Sequence, residues 1–214
     1  MRNRFDEQLY ELNRELTEMG TLCEEAIASA AKAMSTGDLE LAGKVRANGS
    51  AIDQMERDIE SRCIKLLLHQ QPVARDLRQI SAALKMITDM ERIGDQAEDI
   101  AEIVEFLNGR AVQGMTLIED MARATIKMVM DSVEAFVQKN LSLAESVIEY
   151  DDVVDDYFTQ IKENIIALIT NGSVDGELAL DFLMIAKYFE RIGDHATNVA
   201  EWVIFSVTGE HKQS

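Results

Sequence analysis

The pentapeptide ERIGD occurs twice in the sequence, at residues 91–95 and 190–194, and the similarity extends well beyond it. The segment AFVQKNLSLAESV at 135–147 matches AMSTGDLELAGKV at 33–45, which is an offset of 102 residues. The offset falls to 99 at the pentapeptide, so one loop of the first copy is about three residues longer. This pattern indicates an internal duplication with one loop insertion. Any fold of this chain must therefore contain its main elements twice.

Apolar residues recur at alternating steps of three and four, which is the spacing of one face of an α-helix. The first such seam runs from Phe5 to Ala33 and stops at STGD, residues 35–38. The next break is HQQPVARD at 69–76, which contains Pro72, the chain's single proline. With aromatic residues at only 6%, the composition favours long helices over strands. Each copy is therefore predicted to form three helices, and their short connections require antiparallel neighbours.

We accordingly predict an all-α fold of two tandem antiparallel three-helix bundles, with six long helices in total. The first bundle is placed at residues 1–110 and the second at 111–214, joined around GRAVQG at 109–114. One continuous six-helix bundle is an alternative that the pattern leaves open. Cys23 and Cys63 lie on apolar stripes and form no metal motif, so we interpret them as small core residues.

The charge balance limits the classes of partner. The formal net charge is −18, which repels nucleic-acid backbones and anionic lipid headgroups. The few basic residues do not cluster along the sequence, so no nucleic-acid binding is predicted. No stretch approaches the roughly 20 apolar residues of a membrane span, and the polar N-terminus is unlike a signal peptide. Together with only two cysteines, these features predict a cytoplasmic protein without membrane insertion.

The repeated pentapeptide begins a stripe of acidic residues on the third helix of each copy. At 100° per residue, four carboxylates of the first stripe share an arc of about 60°, and a fifth lies at its edge. The first stripe comprises Glu91, Asp95, Glu98, Asp99 and Glu102. The matching positions of the second copy are Glu190, Asp194, Thr197, Asn198 and Glu201. Gly94, between the first two acids, would let a neighbouring helix approach closely.

Carboxylates at this spacing repel one another, and a bound cation would offset the repulsion. Arg92 and Arg191 point about 100° away from their neighbouring glutamates, so they are expected to offset it poorly. Antiparallel packing sets the second helix of each copy opposite the stripe. The candidate metal ligands are Asp53, Glu91, Asp95 and Asp99 in the first copy, and Asp155, Glu190, Asp194 and Asn198 in the second.

Oxygen ligands of this kind suit Mg²⁺, Mn²⁺, Ca²⁺ or iron, and the sequence does not choose among them. Because Asn198 replaces Asp99 and removes a charge, the two sites are predicted to differ. The competing interpretation of the stripes is a repeated packing motif, in which the glycine admits a helix and the acids form salt bridges.

Catalytic signatures are missing from the sequence. A ferritin-like di-iron enzyme needs Glu-x-x-His on two helices, and none of His69, His195 and His211 follows a glutamate at that spacing. There is no glycine-rich phosphate loop and no convincing nucleophile–histidine arrangement. We therefore predict no catalytic residues and no enzyme activity. A carboxylate-bridged metalloenzyme is the weaker alternative, and a metal-free helical scaffold is the other.

Two copies that each end in ERIGD followed by A-x-(D/N)-(I/V)-A-E resemble the PhoU family of phosphate-signalling proteins. The resemblance covers essentially the whole chain, and QPVARDLRQISAALKMITDMERIGDQAEDIAE at 71–102 looks very like the family's most recognisable segment. It implies a cytoplasmic, non-enzymatic negative regulator of the phosphate-starvation response. The implied partners are the ATPase subunit of the phosphate ABC transporter and a membrane-bound sensor histidine kinase. Family members are often homodimers.

The resemblance also concerns the acidic motif, which in this family is associated with metal ions or multinuclear iron clusters. The motif falls on Glu91 and Asp95 in the first copy and on Glu190 and Asp194 in the second. Both motifs are intact here. The resemblance thus implies a divalent metal or an iron cluster at each stripe.

Overall fold

The computed structural model describes residues 2–69, 72–108, 110 and 116–210. These residues form six α-helices and no strand, which confirms the predicted all-α fold with two three-helix repeats. The helices are α1 (Arg2–Thr36), α2 (Leu39–His69), α3 (Ala74–Phe106), α4 (Thr116–Gln138), α5 (Leu141–Thr170) and α6 (Gly176–Thr208). Apart from Arg110, the predicted linker at 109–114 lies outside the described residues.

The turn after the first helix of each repeat shows how the duplication is preserved. In the first repeat Gly37 has φ 67° and ends α1, and the Asp38 carboxylate accepts a hydrogen bond of 3.0 Å from a backbone N–H of α2. In the second repeat Lys139 has φ 55°, and the Asn140 side chain caps α5 in the same way at 3.1 Å. An oxygen-bearing side chain at the N-cap satisfies one of the free N–H groups of the first turn. Asp38 and Asn140 thus cap the second helix of their repeats in the same way.

The packing of the helices joins the two repeats. Within each repeat every helix contacts the other two, and between repeats α1 packs on α4 and α3 packs on α6. Among the described residues the α3–α6 contact is the most extensive, whereas α2 touches only α1 and α3, and α5 touches only α4 and α6. Helices α1, α3, α6 and α4 therefore form a closed ring of four, and α2 and α5 lie on its flanks.

Helices α3 and α6 run antiparallel. Asp89 of α3 lies beside His195 of α6, with 2.9 Å between carboxylate oxygen and ring nitrogen, while Arg110 lies 3.8 Å from Asp175. Residue numbers therefore increase along α3 in the direction in which they decrease along α6. The repeats are related by an approximate two-fold axis through this contact.

One apolar core extends through both repeats. Cys23 and Cys63 are fully buried in it, and burial raises the pKa of each thiol to about 12, so both behave as small core residues as predicted. The division of the chain at residue 110 stays a prediction. Within the described part of the chain, no helix combines the length and apolarity needed to cross a membrane.

Candidate metal centre

Helices α2 and α3 bring three of the predicted ligands together. Asp53, Glu91 and Asp95 each offer a carboxylate oxygen, and these oxygens all lie within 4.8 Å of one another. All three side chains are half-buried. A Cβ atom on Gly94 would lie 2.8 Å from the Cδ1 atom of Ile52, so the absence of a side chain here lets α2 approach. The role predicted for Gly94 is confirmed.

The electrostatics of this trio favour a bound cation. The pKa of Glu91 is raised, first by burial and then by the neighbouring charge of Asp95, with smaller contributions from Glu56 and Asp53. Burial and like charges both penalise the ionised form. The trio supplies hard oxygen donors at a spacing that fits one metal ion, so the residues present fit the metal that the family resemblance implies.

Arg92 does not behave as expected from its position on the helix. It donates a hydrogen bond of 2.9 Å to Asp95, and its Nε atom lies 3.5 Å from Glu91. The expectation that it points away was wrong, because the angle between Cα positions does not limit a long, flexible side chain. The guanidinium thus supplies part of the positive charge that a metal ion would bring.

The second repeat does not assemble an equivalent trio within the described residues. Lys187 forms an ion pair with Glu190 and lies over the ring of Phe158, with 5.5 Å between Nζ and the ring centroid. The residue at the matching position of α3 is Thr88, which is exposed and uncharged. An ammonium group therefore already neutralises Glu190 in the second repeat.

The acids of the second repeat instead surround Asp151. Its pKa is raised to about 6, first by burial and then by Asp155, Asp194 and Glu190. The pKa of Asp155 is also raised, by burial, Glu190 and Asp152, with Lys187 acting in the opposite direction. All three predicted acidic ligands of this repeat therefore lie near Asp151, a carboxyl group whose pKa is raised by burial and by their repulsion.

Each repeat supplies a further carboxylate, which comes from α3 in the first repeat and from α5 in the second. In the first repeat the Glu98 side chain of α3 fills the space over Gly49 of α2, where a Cβ atom would overlap its carboxylate. In the second repeat Asp151 of α5 occupies the position of Gly49, and the small Thr197 stands where Glu98 would be. The Asp151 carboxylate lies 3.2 Å from the place of a Cβ on Gly193. This exchange was missed in the sequence because it is visible only when α2 is aligned with α5 as well as α3 with α6.

Asp99 and Asn198 lie to one side of these clusters, at the α3–α6 contact. Asn198 donates a hydrogen bond of 3.1 Å to Asp89, whose carboxylate also lies beside His195. Burial and Asp95 raise the pKa of Asp99, while Arg191 of α6 lowers it. Both residues thus interact across the repeats, and their role as ligands stays a prediction.

Three basic residues that do not form a cluster in the sequence come together in the fold. Arg75, Arg78 and Lys139 line one cavity at an end of the molecule. Lys139 lies about 60 residues from the two arginines in the sequence, so only the folded chain brings them together.

Comparison with protein families confirms the duplication. The model of the PhoU domain matches the chain twice, at residues 16–104 and 118–203. The two matches begin 102 residues apart and end 99 residues apart, which are the two offsets found in the sequence itself.

Proteins similar over nearly the whole chain are known. A relative from Clostridium acetobutylicum, a phosphate-specific transport system accessory protein PhoU homolog, is 36% identical over 96% of this chain and 95% of its own length. A homolog from Thermotoga maritima is 34% identical over 97% of this chain and 90% of its own length. The crystal structure of PhoU from Pseudomonas aeruginosa covers 96% of this chain and 100% of its own, at 33% identity and a TM-score of 0.89. The crystal structure of the phosphate transport system regulatory protein PhoU from Streptococcus pneumoniae covers 98% of this chain and 100% of its own, at 28% identity and a TM-score of 0.90.

Proposed function

The chain belongs to the PhoU family, and we propose that it is a non-enzymatic accessory regulator of phosphate uptake. The observation that carries this proposal is 36% identity, over 96% of the chain, to a relative named as an accessory protein of the phosphate-specific transport system. The regulator acts in the cytoplasm as an adaptor between the ATPase subunit of the phosphate ABC transporter and a sensor histidine kinase. In this role it represses the phosphate-starvation response, and it works as a homodimer.

The first metal site lies at Asp53, Glu91 and Asp95, with Asp99 as a further ligand. The second lies at Asp155, Glu190 and Asp194, with Asn198 as a further ligand, and it binds more weakly because Lys187 already pairs with Glu190. A divalent metal or an iron cluster would neutralise the repelling acids and fix α2 against α3, which shapes the face offered to a partner. The clustered oxygens of Asp53, Glu91 and Asp95 support this part of the proposal.

A pull-down tests the adaptor role. The purified chain is offered the transporter ATPase subunit and the kinase separately, with added Mn²⁺ and with chelator. We expect both partners to be retained, and more of each with metal. Retention of neither partner in either condition would exclude the adaptor role.

Calorimetric titration of the metal-free chain with Mn²⁺ tests the first site. Asp53→Asn should weaken binding about tenfold or more, because it removes one of three charged ligands. Asp58→Asn is the matched control, since Asp58 is exposed on the same helix and makes the same change in net charge. Equal metal binding by the two variants would place the metal elsewhere.

A metal-free scaffold is the second candidate, and the ion pairs of Arg92 and Lys187 favour it because they already offset part of the acidic charge. This candidate predicts the same melting temperature with Mn²⁺, Mg²⁺, iron or chelator. The proposed metal sites instead predict a higher melting temperature with the bound metal.

A carboxylate-bridged metalloenzyme would turn over phosphate esters or peroxide. The test is to compare the wild type with a variant that carries Glu91→Ala and Asp95→Ala and with one that carries Glu190→Ala and Asp194→Ala. Turnover that disappeared in both variants would replace the non-enzymatic proposal.

A further inference from the structure

A cavity of about 250 Å³ lies where α3 begins and where α4 and α6 end. Its polar lining comes from Arg75, Arg78, Gln79, Lys139 and Ser206. The residues that line the cavity are not members of the acidic stripes at 91–102 and 190–201. It combines three cationic side chains with polar groups in a protein whose acidic residues outnumber its basic ones by 39 to 21.

The three cations of this cavity are poorly compensated by the acidic residues that the structure describes. Within the part of the chain that the structure describes, none of Arg75, Arg78 and Lys139 forms an ion pair, although acids are in excess. The Nε atom of Arg78 is buried and has no hydrogen-bond partner there. A buried donor without an acceptor is destabilising, and more so when the group is charged. The pKa of Lys139 is lowered by burial and by Arg75, against a smaller opposite effect of Asp76.

The duplication shows that the fold does not require these cations. Under the two repeat offsets, Arg75 corresponds to Val174, Arg78 to Glu177 and Lys139 to Gly37. The matching site, at the start of α6 and the end of α1, thus carries no positive charge at the three corresponding positions. A purely structural need, such as neutralising the carbonyl ends of α4 and α6, would apply equally to its counterpart. The three cations are therefore not a general requirement of these helix ends.

We propose that this cavity binds a small oxyanion of the phosphate type. Two guanidinium groups can donate paired hydrogen bonds to phosphate oxygens, and the lysine adds a third positive charge. With Asp76 included, the site carries a net charge of about +2, which matches a divalent phosphate better than a single carboxylate. The acidic remainder of the molecule repels a polyanion, so the ligand is a small ion or a small phosphate ester.

The inference goes beyond the proposed regulatory role and does not depend on the metal sites. It gives the isolated chain a direct means to respond to phosphate, with no partner present. Its test can therefore fail without affecting the pull-down, and the pull-down can fail without affecting this test.

The experiment is a calorimetric titration of the full chain with inorganic phosphate and, separately, with glycerol 3-phosphate, at constant ionic strength. The test variants are Arg75→Gln and Lys139→Asn, and the control is Lys85→Gln, an exposed lysine on α3. Asparagine suits position 139, because that residue has φ 55° and asparagine tolerates the left-handed region. Thermal melts without phosphate establish that each variant is folded.

We expect saturable binding by the wild type and by Lys85→Gln, and binding at least about tenfold weaker in both test variants. Tighter binding of inorganic phosphate identifies the free ion as the ligand, and tighter binding of the ester identifies a phosphate group on a larger molecule. No saturable binding of either probe by the wild type would overturn the inference. Equal affinity in the wild type and the folded test variants would overturn it as well.

Discussion

Asp151 has a strongly raised pKa, which makes the stability of the protein depend on pH. Its pKa is about 6 in the folded protein and 3.8 as an isolated group. The folded state therefore binds this proton more tightly than the unfolded state. Above about pH 6 the ionised group lowers the free energy of unfolding, and this loss disappears as the pH falls from 6 towards 4.

Asp151→Asn should consequently stabilise the metal-free protein at neutral pH. We expect a gain of about 1 kcal/mol in the free energy of unfolding at pH 7.5, a figure reduced from the full shift because the side chain is half-exposed. Urea unfolding with chelator, at pH 7.5 and pH 4, measures the effect. The gain should shrink towards zero at pH 4, and Asp58→Asn should show no such gain. A gain of the same size at both pH values would show that the charge of Asp151 is not its cause.

Lys187 and Thr88 provide a reciprocal test of why the two metal sites differ. Lys187→Thr gives the second repeat the residue of the first and frees Glu190, so Mn²⁺ affinity at the second site should rise about tenfold. Thr88→Lys introduces an amine near Glu91 and should weaken the first site by a similar factor. Calorimetric titration of each variant reports the change. Unchanged affinities in both variants would mean that the difference between the two metal sites arises from Asn198 and Asp99 instead.

At the scale of elements, the close approach of α2 to α3 depends on Gly94. Gly94→Ala sets a Cβ against Ile52 and should cost about 1–3 kcal/mol, because the packed helices must separate or the isoleucine must leave its rotamer. Gly43→Ala is the control on α2, where a Cβ would meet only the Glu105 carboxylate at 3.6 Å. That change should raise stability by about 0.5–1 kcal/mol through helix propensity. Thermal melts followed by circular dichroism measure both, and a stabilising Gly94→Ala would show that this contact is not tight.

The elements were predictable because each depends on local signals. Hydrophobic periodicity, helix-breaking residues and N-cap residues such as Asp38 act within a few positions of the chain. The sequence therefore defines the helices directly. The position of Asp53 opposite Glu91 followed from counting along an antiparallel pair. The hydrogen bond of Arg92 to Asp95 did not follow, because a helical angle places a Cα atom and leaves a long side chain free to bend. The basic cavity was also missed, since Lys139 reaches Arg75 only through packing between the repeats.

At the scale of the whole molecule, the contact of α3 with α6 was the feature that helical periodicity left open. An apolar face shows that a helix is covered, but not which helix covers it. Polar residues at this contact, such as Asp89 and Asn198, gave no signal in advance because their partners lie more than about 100 residues away. The sequence therefore indicated three helices in each repeat and left undetermined how the two repeats pack against each other.

The continuous core predicts that the two repeats unfold together. We expect one transition in differential scanning calorimetry, with equal calorimetric and van't Hoff enthalpies, because separating α3 from α6 would expose apolar surface on both. Two resolved transitions would show that residues 1–110 and 111–214 are independent folding units.

The flanking positions of α2 and α5 bear on the proposed adaptor role. Among the described residues the two helices do not touch, and each borders its own acidic cluster on its own side of the central ring. A partner bound over α2 and α3 leaves the face of α5 and α6 free for a second one. In the proposed adaptor role a single chain would therefore offer two binding faces, and two such faces that engage the same assembly would bind it with an avidity that neither face has alone.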